Sequence, residues 1–165
     1  MMYHGQNVQT PGIIVPQRMF PLPQGQSPAD LTLQPVRFFV GGRLGVHLDT
    51  ARQAQVCDLN HANSTPQLAL GRGRPTLRIL WPGYSDWHYL NAVDIHGAHP
   101  TLAHITQRLA QLIYDFYTGM ITHEGSETCW RLQNIPFDTL YLVELRQVGR
   151  GSWQPVLCTN IQISQ

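Results

Sequence analysis

One stretch of this chain carries a helical apolar period over several turns, and it sets the fold class. Leu102, Ile105, Leu109, Leu112, Ile113 and Phe116 recur at spacings of three and four. Gln107, Arg108, Gln111 and Asp115 fall largely on the opposite side. Thr101, just after Pro100, is placed to cap the N-terminus, and Gly119 to close the C-terminus. The spacing predicts a helix over 101–118 with one apolar stripe, which must be buried against another element. The remaining apolar runs are short and alternating, as strands are. The expected architecture is α+β: a mostly antiparallel sheet packed against one principal helix.

The strand candidates follow in order. Leu31–Leu33 and Val36–Val40 are short runs separated by Pro35. Gly41-Gly42 marks a turn, after which Leu44–Asp49 alternates. Residues 50–67 are ambiguous, with a helical turn at Ala51–Val56 as one reading. Thr76–Trp81 places Leu77, Ile79 and Trp81 on one face and Arg78 on the other. Trp87–Ile95 reads as its hairpin partner around Pro82–Asp86. Trp130–Leu132 is a short run. Thr139–Arg146 is apolar on both faces, which suits a central strand, and Trp153–Thr159 returns beside it after a Gly-rich turn.

The segment before Asp30 differs in kind. Prolines at 11, 16, 21, 23 and 28 forbid a helix and interrupt any long strand. Five glutamines and a single charge, Arg18, accompany them. Ile13, Ile14, Val15, Met19, Phe20 and Leu22 are too apolar for a solvated linker. The expected organisation is an extended Pro/Gln-rich arm over 1–29 and one domain over 30–165. Such an arm either straps its own domain or docks on a neighbour.

Composition bears on what the domain meets. The chain has 165 residues, 42% of them hydrophobic, so it needs no disulfide or metal to build a core. Only 13% are charged, against about 25% in an ordinary soluble domain. Lysine is absent; all eleven basic residues are arginine, against ten acidic ones, for a formal net charge of +1. Polar uncharged residues can keep such a surface soluble. Alternatively, weak self-repulsion favours association. A third reading is selection against reactive amines. Near-neutrality argues against long-range attraction to nucleic acid. No basic-then-apolar leader and no run of about 18 apolar residues is present, so no membrane partner and a cytoplasmic location are expected.

The pattern resembles a family of small domains abundant in mushroom-forming fungi, the domain of unknown function 6699. The likeness lies at Leu31–Pro35, at Ala62–Leu68 with Leu77-Arg78-Ile79, at Trp87, at Thr101–Leu109 and at Leu140–Trp153. It spans about residues 30–160, leaves the arm outside, and rests on core-type positions. The resemblance implies a fold and a fungal origin. It implies no activity and carries over no functional residue.

Chemistry-bearing residues are sparse. Cys57, Cys129 and Cys158 are odd in number and lack metal-type spacing, so neither a disulfide framework nor a cysteine-based zinc site is expected. His96, His99 and His104 are the nearest approach to a metal set, a loop pair and a first-turn residue that could converge on zinc. Their spacing matches no helical two-histidine motif, and His-Gly-Ala-His-Pro is also ordinary loop composition. No cofactor is expected. Ser85 and Ser152 lack the context of a nucleophile elbow. Cys57 and His61 are close in sequence, but catalytic partners are recognised by geometry. Gly71–Pro75 contains a minor-groove-hook core, yet reads better as an arginine-bearing turn. Trp81, Tyr84, Trp87 and Tyr89 cluster within nine residues. Exposed, they would stack on a sugar or anchor a protein; buried, they are core.

These residues favour a non-enzymatic structural or interaction protein that self-associates through its arm, making a homo-oligomer or binding another protein. The alternatives are a small, possibly carbohydrate-binding module using the Trp81–Tyr89 hairpin, and an enzyme of unrecognised class with the histidine-rich site.

Overall fold

The computed structural model describes residues 9–68, 74–84, 89–92 and 100–163. Among these residues, nine strands and two α-helices follow one another: β1 (Ile13–Ile14), β2 (Val36–Arg37), β3 (Phe39–Val40), β4 (Arg43–Leu44), β5 (Val46–His47), α1 (Leu48–Arg52), β6 (Thr76–Ile79), β7 (Tyr89–Ala92), α2 (Leu102–Met120), β8 (Leu140–Gly149) and β9 (Ser152–Thr159). The main sheet has the order β2-β8-β9-β6-β7, with β1 added on β9 and β5 on β8. Every pairing is antiparallel except that of β6 with β9. The architecture is α+β, a mostly antiparallel sheet against one main helix.

The helix forms where its apolar period lies. The Thr101 side chain accepts the His104 N–H and caps the first turn. Gly119 does not end the helix, which continues to Met120, so in the last turn its propensity cost is outweighed. Leu102, Ile105, Leu109, Leu112, Ile113 and Phe116 are all buried. They share one core with Leu77 and Ile79 of β6, Leu140, Leu142 and Leu145 of β8, and Trp153 and Leu157 of β9. Each such side chain contributes about 1.5–3 kcal/mol by leaving water.

Several short strands depart from the alternation pattern. Leu31–Leu33 is not a strand; the Leu33 N–H instead donates to Gln147 Oε1 at 2.9 Å. Val36–Val40 is divided at Phe38, whose N–H donates to the Val143 carbonyl while its ring is fully buried. Its first half pairs with β8 and its second with β4. Gly41 and Gly42 both have positive φ, as a two-residue turn between twisted strands requires. The predicted strand at Leu44–Asp49 gives way at Leu48 to α1, because the His47 imidazole accepts the Thr50 N–H as a helix cap. Trp130–Leu132 forms 3₁₀ turns rather than a strand.

Strand β8 is central, as its two-sided apolar pattern requires, lying between β2 and β9. Glu144 is held on β8 by Arg37 and Arg146, each of which donates its Nε–H to it. A carboxylate only 5% exposed is tolerated there because both oxygens are paired.

Candidate functional site

The arm straps its own domain. Ile13 and Ile14 pair with Thr159 and Cys158, and the Val15 N–H donates to the Leu157 carbonyl at 2.9 Å. Val15 is buried in the common core, so the arm contributes to it. Gln17 then fills the point where β6 and β9 diverge. Its Nε2 donates to the Pro155 carbonyl at 2.6 Å, and its Oε1 accepts the Leu80 N–H at 3.1 Å. One step on, Gln154 does the converse. Its Oε1 accepts the Phe20 N–H at 2.9 Å, and its Nε2 donates to the Arg18 carbonyl at 2.7 Å. Gln26 Oε1 accepts the Arg150 N–H at the β8–β9 turn, and Asp30 receives the Arg150 guanidinium. The Ser27 N–H and that guanidinium hold the Asp30 carboxyl below its ordinary range.

Two glycines let the arm in. A side chain on Gly12 would stand 2.0 Å from the Thr159 carbonyl oxygen. Gly45, with φ of +102°, makes room for the Pro11 ring, which a Cβ would meet at 2.7 Å. Further along, the Phe20 ring lies 4.3 Å from the Arg78 guanidinium. Burial lowers the pKa of that guanidinium, and its Nε has no hydrogen-bond partner among the described residues.

The arm's two sides differ. Val15 points inward, and Phe20 and Leu22 are half-buried. Ile13, Ile14 and Met19 are 48%, 39% and 74% exposed. Among the described residues, these are the large hydrophobic side chains left exposed, and all three belong to the arm.

The aromatic cluster is placed otherwise. Trp81 and Tyr84 are core residues, so neither ring offers a stacking face to a sugar. Trp81 Nε1 donates to the Trp130 carbonyl at 2.7 Å, with the Trp130 and Phe116 rings each 6.4 Å away. The Tyr84 hydroxyl accepts the buried Leu132 N–H at 3.1 Å and lies 3.2 Å from the His123 carbonyl, which it can donate to. Both polar tips are spent on bracing the loop after α2. The hairpin itself is real, β6 against β7 with Ile79 opposite Tyr89. Trp87 lies outside the described residues, and for Tyr89 the backbone alone is described.

His96 and His99 also lie outside the described residues, and His104 is exposed in the first turn of α2. Among the described residues, no cluster of three His, Cys, Asp or Glu side chains could hold a metal ion. Arg74 and Pro75 are described, the preceding Gly71–Gly73 is not. Cys57 and Cys129 are exposed, while burial pushes the Cys158 thiol up to about 12. Among the described residues no helix is long and apolar enough to cross a membrane.

Gln17, Gln154, Gly12 and Gly45 position the arm and were not singled out by sequence. The signal available was the glutamine-rich, charge-poor composition of the arm itself. Compared with protein-family models, with curated proteins and with solved structures, the chain matches none.

Proposed function

We propose that this is a non-enzymatic interaction protein that self-associates, with the exposed apolar side chains of the arm as its contact surface. The single observation that carries this reading is that, among the described residues, the exposed large hydrophobic side chains are Ile13, Ile14 and Met19. Apolar groups gathered on one element mark contact surfaces more often than apolar groups scattered singly. Their setting adds support. The arm carries one charge among residues 9–29, and the chain's net charge is +1, so two copies repel weakly. The arm in this reading works from its seat on its own domain rather than by lying on a neighbour. Kinship with the fungal domain family belongs to the same proposal and rests on the core motifs described above.

The test is absolute mass in solution by light scattering, on the full chain and on a variant combining Ile13→Ser, Ile14→Ser and Met19→Ser. We expect the wild-type mass to rise with concentration above 18.7 kDa and the variant to stay at it. Equal association by both would remove the arm from the contact. A wild-type chain that stays monomeric at every concentration would end the self-association reading.

A further inference from the structure

Strand β1 is an edge with one unused side. The Val15 N–H bonds the Leu157 carbonyl, so 15/157 is a hydrogen-bonded pair of the antiparallel ladder. The neighbouring pair, Ile14 opposite Cys158, is then non-hydrogen-bonded. The Ile14 N–H and C=O therefore point away from β9, toward the open side. Among the described residues, no main-chain group meets them.

The open side is short and bounded. Pro16 has no N–H, and the Gly12 carbonyl accepts the Thr10 hydroxyl at 2.8 Å. At its centre Ile14 offers one donor and one acceptor on the same residue, with Ile13 and Val15 on either side. Sheet edges are ordinarily guarded by charge, proline or a covering loop. Here the prolines at 11 and 16 guard the flanks, but no charge lies between Thr10 and Gln17.

We infer that β1 pairs antiparallel with β1 of a second copy, about a two-fold axis at Ile14, so that the two sheets run on through β9-β1 and its symmetry mate. This rests on the self-association reading above and names its geometry. An isologous contact needs a surface complementary to itself. Ile14 supplies it: its N–H meets the other copy's C=O, and the reverse, closing one reciprocal pair. Ile13 then faces Val15 of the second copy across the axis. A longer foreign strand would be interrupted at Pro11 and Pro16, which have no N–H, whereas a second proline-bounded window matches this one in length. The contact is small beside a stable interface of about 1,600 Å². It is therefore a weak, concentration-dependent dimer that stops at two copies.

Ile14→Pro in the full chain tests it. The substitution removes the outward N–H and leaves the β1–β9 bonds, which do not use it; proline is tolerated on an edge strand in that position. The expected result is a wild-type mass that climbs to twice 18.7 kDa and no further, with the variant held at the monomer mass. An unchanged melting temperature and an unreactive Cys158 would show the arm still seated in the variant. Association that survives Ile14→Pro but is lost in the triple serine variant would overturn edge pairing and keep the arm surface. Wild-type assembly beyond two copies would overturn the two-fold closure. A wild-type monomer throughout would overturn both readings. Amide hydrogen exchange at Ile14 in the wild-type chain needs no substitution. Slowing with concentration supports the pairing, and an unchanged rate across dimerisation overturns it.

Discussion

The side chain of Gln154 grips the main chain at Phe20, accepting its N–H at 2.9 Å across a sequence separation of 134. The same amide donates to the Arg18 carbonyl at 2.7 Å, so one side chain serves the arm as a strand's backbone would. Replacing Gln154 with Ala leaves a partly buried donor and acceptor without partners. The expected loss is about 1–3 kcal/mol in denaturant unfolding. Faster proteolysis between residues 17 and 29, at a denaturant concentration where the domain stays folded, would show that the loss is local to the arm. Equal stability with unchanged proteolysis would show the grip to be dispensable.

Trp81→Ala should act on stability. The ring is buried between Trp130 and Phe116, and removing it leaves a large void. A cost of about 3–5 kcal/mol is expected for such a truncation. Trp81→Phe should recover most of it and lose the bond to the Trp130 carbonyl. Thermal unfolding measures both. A stable Trp81→Ala protein would return this residue to the list of surface contacts.

The three thiols should divide two to one. Cys57 and Cys129 are exposed, whereas Cys158 is fully buried with its thiol pushed up to about 12. At neutral pH an alkylating reagent should add twice to the native chain and three times to the unfolded one, counted by mass spectrometry. The elevation also carries a sign. Above about pH 9 the thiol ionises in the unfolded chain while staying neutral in the folded one. Stability should therefore fall as pH rises from there toward 12. Tyr117, raised chiefly by burial, acts in the same direction. Cys158→Ala should make the alkaline decline shallower.

The acid limb has the opposite origin. Arg52 holds the Asp49 carboxyl below 3.8, and hydrogen bonds to Ser27 and Arg150 do the same for Asp30. A depressed carboxylate adds stability above its unfolded pKa and loses it as pH falls through the folded one. Melting temperature should therefore decline below about pH 4. Asp49→Asn should lower the neutral-pH melting temperature slightly and flatten that decline. Equal acid slopes for variant and parent would refute the pairing of Asp49 with Arg52.

The fold was legible where one pattern admitted one answer. The helix stripe could bury only against a sheet, and the two-sided apolar run at Leu140–Arg146 could lie only inside it. Gly41-Gly42 was legible because two consecutive positive φ angles nearly demand glycine. The failures were local contests. Leu48 alternates like a strand residue, but the His47 cap starts a helix there. Leu31–Leu33 looks like a strand, but a glutamine side chain captures Leu33. Gly119 looks like a stop, but it sits one residue inside the last turn. Trp81 and Tyr84 could not be assigned to core or surface from spacing alone. Burial was decided by a loop some fifty residues later, which takes both of their polar tips. The arm's apolar character was legible; which of its side chains turn outward was not, because that depends on the register of Ile14 with Cys158.

That register also fixes an order of events. Ile13 and Ile14 leave the ribosome long before Thr159 and Cys158, the residues they pair with. Until the last strand is made, the first apolar segment has no seat and must stay apart from every half-built edge around it. Prolines at 11, 16, 21 and 23 suit that wait, since they keep a greasy stretch from zipping prematurely onto something else. Such long-range closure is slow. Seating of the arm then waits on the synthesis of β9, and a nascent chain stalled short of it would show Ile13, Ile14 and Val15 unpaired to quality control.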